Sequence, residues 1–165
     1  MRMFLERHPD WLHPTSTTTR APRQGEISGK DMNFVSHEEF EKRQKAGEFL
    51  ETDFHASHWY GTLREPVETA LSEGKSVLLR IDVNGALQIK SQMSEAVLIF
   101  INAENEAALE ARIRVRKTET EKQIQERLAL AKRELTKIKD FDHVVINATG
   151  KQKEALSRIE TILEV

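Results

Sequence analysis

The 165-residue sequence contains no cysteine. This absence excludes disulfide bonds, thiolate metal sites and a cysteine nucleophile. Long apolar runs are also missing, because none approaches the roughly 20 residues that a membrane-spanning helix needs. Residues 1–11 carry several charges and lack the apolar centre of a signal peptide. We therefore expect a soluble protein of the cytoplasm with no membrane partner.

The chain also lacks a large excess of positive or negative charge. Lys and Arg together number 25 and Asp and Glu 27, so the formal net charge is −2. Binding to nucleic acid depends on a basic excess that neutralises phosphates, so we expect no nucleic-acid partner. Hydrophobic residues make up 38% of the chain, which is enough to build a core.

Three short runs of aliphatic and β-branched residues are nearly continuous rather than alternating, at 77–82, 97–101 and 143–147. This pattern is typical of strands that are covered on both faces, as in a parallel sheet. Helical patterns lie between and after these runs, at 86–93, 106–116, about 118–139 and 151–163. Strands that alternate with helices predict an α/β fold.

The amino-terminal half shows shorter elements. Residues 1–12 resemble the end of a helix, and residues 15–29 form a polar, turn-rich stretch. Ser36 begins a capping-box pattern that predicts a helix ending near residues 46–47. A short strand at 48–54 and a helix at 64–72, with Pro66 in its first turn, follow.

Two arginines, Arg20 and Arg23, flank Pro22 in a segment rich in threonine. The planar guanidinium group suits phosphate oxygens, and the neighbouring hydroxyls could add donors. The alternative is a solvated basic loop, and composition alone leaves it open.

Glu51 and the segment around Tyr60 and Thr62 also carry groups that could recognise a ligand. A carboxylate can accept two N–H bonds from the edge of guanine, a threonine hydroxyl can bond its carbonyl, and a tyrosine can donate to a phosphate. The alternative is a strand with a surface acid and an aromatic turn.

Asp82 ends the first predicted buried strand. Ligands of open α/β sheets bind at the carboxyl ends of strands, so an acid there is well placed. The alternative is a helix N-cap.

Arginines surround a predicted helix break, at 112, 114, 116 and 127. Such arginines could close over a phosphate chain and stabilise charge during phosphoryl transfer. The alternative is a solvated charged face. The histidines show no metal-ligand spacing, so no metal site built by the protein is predicted.

Taken together, these segments resemble guanylate kinases over nearly the whole chain and in the same order. The resemblance is carried by residues 16–26 (STTTRAPRQGE), 29–31 (GKD), 33–36 (NFVS), 47–51 (GEFLE), 60–62 (YGT), 81–87 (IDVNGAL) and 127–128 (RL). Single motifs of this length are weak, whereas several in register are specific.

The resemblance implies a single domain over residues 1–165 with a parallel-sheet P-loop kinase core. A GMP-binding lobe at about 15–66 and a helical lid at about 112–127 would be inserted into that core. The implied reaction transfers a phosphoryl group from ATP to GMP and gives ADP and GDP, with Mg²⁺ bridging the ATP phosphates. Catalysis of this kind consists mainly of positioning and charge stabilisation.

The resemblance also implies a role for each matching residue. The GMP phosphate would be held by Arg20, Arg23 and Tyr60, and the guanine would be read by Ser16, Glu51, Thr62 and Asp82. Catalytic lid arginines that act on the ATP phosphates would be Arg116 and Arg127, and Asn147 would lie near the adenine.

Three positions depart from the family pattern. The P-loop run G-x-x-x-x-G-K-[ST] is missing, since the similar run at 25–31 is one residue short and ends in Asp. Met32 replaces a tyrosine that would donate to the GMP phosphate, and a thioether cannot donate. Arg80 replaces an acid that is common two residues before Asp82.

The missing P-loop suggests a truncated chain or a start codon placed too late, and we expect such a chain to turn over poorly or not at all. The first strand of the core would be missing too, so that residues 77–82 and 97–101 lose a shared neighbour. Each buried unpaired backbone group costs about 1–3 kcal/mol. The alternative functions are a non-catalytic guanylate-kinase-like module that binds GMP or a phosphopeptide, and a kinase for another phosphorylated sugar or nucleotide.

Overall fold

The structure, a computed structural model, describes residues 1–115 and 120–165. It forms two compact units, Met1–Ser94 and Glu95–Val165. The first unit contains α1 (Arg2–Arg7), β1 (Thr17–Thr18), β2 (Asn33–Phe34), α2 (His37–Lys45), β3 (Phe49–His55), β4 (His58–Leu63), α3 (Arg64–Ser72) and α4 (Val83–Gln92). The second contains β5 (Ile99–Asn102), α5 (Glu106–Val115), α6 (Glu121–Leu135), a 3₁₀ turn (Ile138–Asp140), β6 (His143–Ile146) and α7 (Gln152–Leu163).

A four-stranded sheet in the order β2-β1-β4-β3 organises the first unit. Strands β1 and β2 run parallel, whereas β4 pairs antiparallel with both β1 and β3. Helix α2 packs on this sheet through Phe40, which is fully buried and stacks on Phe49 and Trp59 with centroid distances of 4.4 and 5.8 Å. This aromatic cluster holds together the two longest strands of the unit.

Local signals place the helices of this unit as predicted. The Ser36 hydroxyl accepts the N–H of Glu39 at 3.1 Å and starts α2, which ends two residues before Gly47 with its positive φ of 71°. Helix α3 spans the predicted range and holds Pro66 in its first turn, where a missing N–H costs no hydrogen bond.

The predicted strand at 77–82 is wrong. Its one strand-like pairing is a parallel bridge between Leu12 and Val77, and residues 78–82 belong to neither a strand nor a helix. A strand needs a neighbouring strand to satisfy its backbone N–H and C=O groups over several residues. Within the described part of the chain, no strand lies beside residues 78–82 to provide such a ladder.

The second unit has the predicted α/β character. Strands β5 and β6 pair in parallel over four residues, from the pair Ile99–His143 to the pair Asn102–Ile146. The expectation that these strands are covered on both faces is wrong, since Ile101 remains 57% exposed. Val144 and Ile146 on β6 are likewise 46% and 49% exposed, so neither strand of this two-stranded sheet has all of its side chains covered.

The long helix predicted at about 118–139 is shorter in the structure. A capping box at Thr120 and Gln123 starts α6, and Thr136 ends it before the 3₁₀ turn. Within the described residues, no helix combines the length and the apolar character needed to cross a membrane.

We predict that Phe40→Ala lowers the free energy of unfolding by about 3–5 kcal/mol, because it opens a cavity beneath β3 and β4. Urea denaturation measures this change. The matched control is Phe54→Ala, which removes a ring that is 52% exposed and should cost less than about 1 kcal/mol. Equal losses in the two variants would contradict the proposed role of Phe40.

Candidate functional site

A buried carboxylate lies at the centre of the first unit. Glu51 on β3 and Thr62 on β4 are cross-strand partners, and they are only 5% and 1% exposed. The Thr62 hydroxyl donates a hydrogen bond of 2.6 Å to Glu51 Oε1. The predicted pair therefore meets, but as a buried cluster and not as a surface acid.

The amino-terminal end of α4 lies against this carboxylate. Asp82 is the N-cap residue, and its Oδ1 accepts the N–H of Gly85 at 2.9 Å. A Cβ on Gly85 would lie 2.6 Å from Glu51 Oε2, so the glycine leaves room for the acid. The N-cap alternative for Asp82 is therefore confirmed, and its charge also lies near Glu51. The ligand-binding role of Asp82 stays a prediction.

Two glutamines of α4 hold this helix to β3. The backbone N–H of Thr52 donates to Gln88 Oε1 at 3.1 Å, and Gln88 Nε2 donates to the Thr52 carbonyl at 2.9 Å. One turn later, Gln92 Nε2 donates to the Leu50 carbonyl at 2.8 Å. The amide side chains thus replace a neighbouring strand along this edge of β3. Sequence reasoning missed them, because a glutamine in a helix has no pattern that reveals a distant partner.

The surroundings of Glu51 favour its protonated form. Burial raises the pKa of Glu51 to about 7, the hydrogen bond from Thr62 opposes this shift, and the negative charges of Asp82 and Asp53 add to it. Asp53 itself accepts from Asn84 Nδ2 at 3.0 Å and pairs with His55 Nδ1 at 3.1 Å. The site therefore concentrates three carboxylates around one buried position.

A cationic group follows the end of β1 in the same unit. Arg20 directs Nη1 and Nη2 to the two carboxylate oxygens of Glu26, each at 2.9 Å. This pairing raises the pKa of Arg20 and lowers that of Glu26, and the Tyr60 hydroxyl, which faces the guanidinium, adds to the shift of Arg20. Nη2 also contacts Met32 Sδ at 3.6 Å. Sequence reasoning assigned no role to Glu26, since an acid six residues from an arginine has no regular spacing.

The other predicted GMP residues are near these two groups. The backbone N–H of Arg23 donates to Glu26 Oε2 at 2.6 Å, and its side chain is exposed. Ser16 precedes the pair Thr17–Gly61, so the register places it beside Thr62. Tyr60 and Thr62 lie two residues apart on one face of β4, a separation of about 7 Å.

The threonine hydroxyls beside Arg20 are bonded to the backbone of β4. Thr18 Oγ1 donates to the carbonyl of Trp59 at 2.9 Å, and Thr19 Oγ1 accepts the N–H of Trp59 at 3.0 Å. Thr18 thus uses its one hydroxyl proton within the protein, whereas the bond of Thr19 does not use its proton, and the donor role of Thr19 stays a prediction.

The second unit contains the remaining predicted residues that the structure describes. Asn147 follows β6, and its buried Oδ1 has no hydrogen-bond partner in the described chain. Arg112 Nη2 donates to the Asn147 carbonyl at 2.7 Å and to Glu104 at 2.6 Å. Arg127 is exposed on α6, and Arg116 lies outside the described residues.

The sequence suggested that Arg114 could close over a phosphate chain, but in the structure two glutamates engage its side chain. Its guanidinium forms a two-bond contact of 2.7 and 2.8 Å with Glu121 and a third bond of 2.8 Å with Glu110. The hydrogen bond from Arg114 lowers the pKa of Glu121 to about 2. Arg114 therefore joins α5 to α6 as an ion pair, as the alternative of a solvated charged face proposed.

We predict that Glu51 makes stability depend on pH. The folded chain has a pKa of about 7 at this position against 4.5 for an ordinary glutamate. Folding therefore favours the protonated acid, and stability falls by about 3 kcal/mol as pH rises from below 4.5 through 7. Glu51→Gln should abolish this fall in the free energy of unfolding. Urea denaturation at pH values from about 4 to 8 measures it. Parallel profiles for the two proteins would contradict this assignment, and exposed Glu38→Gln is the control.

Comparisons with known proteins find relatives over almost the whole chain. The guanylate kinase family profile matches residues 2–165. A guanylate kinase of Trichormus variabilis is 40% identical over 163 residues, which are 99% of this chain and 81% of that protein. A guanylate kinase of Idiomarina loihiensis is 42% identical over 149 residues, with coverages of 89% and 71%.

A solved structure gives the same result for the fold. The crystal structure of guanylate kinase from Anaplasma phagocytophilum matches with a TM-score of 0.82 and 32% identity, covering 99% of this chain and 78% of that one. The relatives are named as kinases, which supports the kinase interpretation and not the non-catalytic binding module. With a family profile over almost its whole length and relatives near 40% identity, this chain belongs to the guanylate kinase family.

Proposed function

We propose that the first unit binds GMP, with guanine at Glu51 and the phosphate at Arg20. The observation that carries this proposal is the buried Glu51 carboxylate, bonded to Thr62 and next to Asp82, in the same unit as Tyr60 of β4 and Arg20, which follows β1. An acidic end and a basic end in one unit match a ligand with N–H donors at one end and an anion at the other.

The negative charge of the Glu51 carboxylate favours guanine over adenine. Guanine presents two adjacent N–H donors, which a carboxylate can accept together. The ionised Glu51 is disfavoured by burial and by Asp82 and Asp53, so donors from the base would supply the compensation that the protein does not. The resemblance implies that Ser16 and Thr62 complete the contacts. Because the Thr62 hydroxyl donates its proton to Glu51, Thr62 would contact the base as an acceptor.

The phosphate end is already organised. Glu26 orients the Arg20 guanidinium through two hydrogen bonds. Tyr60 approaches the same guanidinium and could donate to a phosphate oxygen. The exposed Arg23 side chain would add a second cation. Arg binds a phosphomonoester with a planar pair of donors. In Arg20 that pair is donated to Glu26, so a GMP phosphate would take the place of this carboxylate on the guanidinium.

The second unit would act on ATP, and the reaction proposed is phosphoryl transfer from ATP to GMP. The unpartnered acceptor of Asn147 suits the amino group of adenine. Arg127, with Arg116, would stabilise charge on the transferred group. Cradling of the ATP phosphates requires a P-loop, a motif that these 165 residues do not contain, so that role is assigned to no residue of this chain. We propose the cytoplasm as the site of action.

The residues described do not fit the Mg²⁺ that would accompany ATP. Asp53, His55 and Asp82 bring three ligand atoms within 4.8 Å of one another, and they form the one such group in the described chain. This group lies beside Glu51, and Mg²⁺ prefers oxygen ligands to imidazole. No step of the reaction is therefore assigned to a metal held by these side chains.

We predict that the chain binds GMP in isothermal titration calorimetry and binds AMP at least about tenfold more weakly. Glu51→Ala should weaken GMP binding about 10- to 100-fold, because a charged acceptor is lost, and should leave AMP binding unchanged. Glu38→Ala, at an exposed acid, is the control. Absence of GMP binding, or unchanged base selectivity in the Glu51 variant, would contradict the proposal.

We predict that Met32→Tyr tightens GMP binding about two- to tenfold, because it restores a hydroxyl donor next to Arg20. Met32→Leu, which adds no donor, should have no such effect. Guanosine serves as the matched ligand without a phosphate. A similar gain with guanosine would show that the new side chain acts by packing and not on the phosphate.

A further inference from the structure

We infer that Gly85 is a positioning residue that determines how well the site distinguishes guanine from related purines. By lacking a side chain, it admits the Glu51 carboxylate against the first turn of α4 and fixes where that carboxylate meets the base. The inference rests on the proposed function, because it needs guanine to bind at Glu51.

The contact between Gly85 and Glu51 leaves no room for a methyl group. A Cβ on Gly85 would lie 2.6 Å from Oε2, 3.2 Å from Cδ and 3.5 Å from Cγ of Glu51. Both residues are buried. An alanine at this position would therefore have to displace the carboxylate or the helix.

Neither partner can move without losing hydrogen bonds. The other oxygen of Glu51 is held by Thr62 at 2.6 Å. Helix α4 is held to β3 by the three bonds of Gln88 and Gln92, at 3.1, 2.9 and 2.8 Å. The displacement would fall on the carboxylate, which is attached through a flexible side chain.

The backbone conformation at position 85 does not explain why this residue is a glycine. Gly85 is not among the residues of positive φ, and it lies inside α4, where its N–H is bonded to Asp82. Alanine is preferred over glycine in a helix interior. Gly61 shows a similar lack of space, but there a Cβ would meet the ring of Phe49 at 2.9 Å. Of the described glycines, Gly85 is the one whose missing side chain faces an ionisable group.

Base selectivity follows from the position of the carboxylate. Guanine offers two adjacent N–H donors, whereas hypoxanthine offers one, so discrimination between GMP and IMP requires both oxygens of Glu51 to be placed correctly. A displaced carboxylate can still accept one N–H bond. Displacement of the Glu51 carboxylate therefore weakens GMP binding more than IMP binding.

The experiment is a double-mutant cycle with Gly85→Ala, Glu51→Ala and the combined variant. Calorimetric titration with GMP and IMP should show that Gly85→Ala weakens GMP binding about 10- to 100-fold, weakens IMP binding less, and has less than about a twofold further effect once Glu51 is alanine. The control is Gly74→Ala, at a positive φ of 74°, which strains the backbone with no neighbour within 4 Å. That variant should lose thermal stability while its ratio of GMP to IMP affinity stays unchanged.

Thermal unfolding gives a second test that needs no ligand. Gly85→Ala should lower the melting temperature when Glu51 is present and raise it when Glu51 is alanine, because the space is then free and alanine favours the helix. If Gly85→Ala does not fold while the combined variant does, the same conclusion follows. Equal stability losses in both backgrounds, or equal losses of GMP and IMP affinity, would overturn the role of Gly85. Failure of the unmutated chain to bind GMP would instead overturn the proposed function, while the thermal comparison would still show the clash.

Discussion

The burial of one carboxylate is the constraint on which the candidate site depends. Glu51 is 5% exposed and has one strong donor, the Thr62 hydroxyl, together with two further acids nearby. A buried anion without sufficient donors is costly, and the protein reduces this cost by favouring the protonated form. Under the proposed function, a ligand that brings N–H donors would remove an imbalance already present in the protein.

The rest of the first unit serves to keep that carboxylate in place. The hairpin of β3 and β4 supplies the acid and its threonine donor, and Phe40 packs beneath the hairpin. Helix α4 closes the opposite side through amide bonds from Gln88 and Gln92 to β3. Three separate stretches of chain thus meet at one side chain, and no single stretch could bury it.

The elements that sequence reasoning located are those determined by local chemistry. The Ser36 cap and the proline at the start of α3 act within one helical turn, so both helices were found with nearly correct bounds. The strand at 77–82 was wrong because an aliphatic run becomes a strand only beside a partner, and the run itself does not specify one.

In the candidate site, too, residue types could be predicted from the sequence, whereas contacts between distant residues could not. Glu51, Thr62 and Asp82 were identified as residue types suited to guanine, and the structure brings them together. Their burial, and the roles of Glu26 and Gly85, depend on contacts between residues that no short pattern connects. The one local sign of Gly85 is a glycine inside a helical pattern, which indicates either a weak helix or a close approach.

The division of the chain into two units has a consequence for how the proposed enzyme could diversify. The described residues proposed for GMP lie in Met1–Ser94, and those proposed for ATP lie in Glu95–Val165. Under that proposal, the described residues for acceptor and donor would be encoded by consecutive, non-overlapping stretches of the gene. Mutations that retune one set would then accumulate without altering the other.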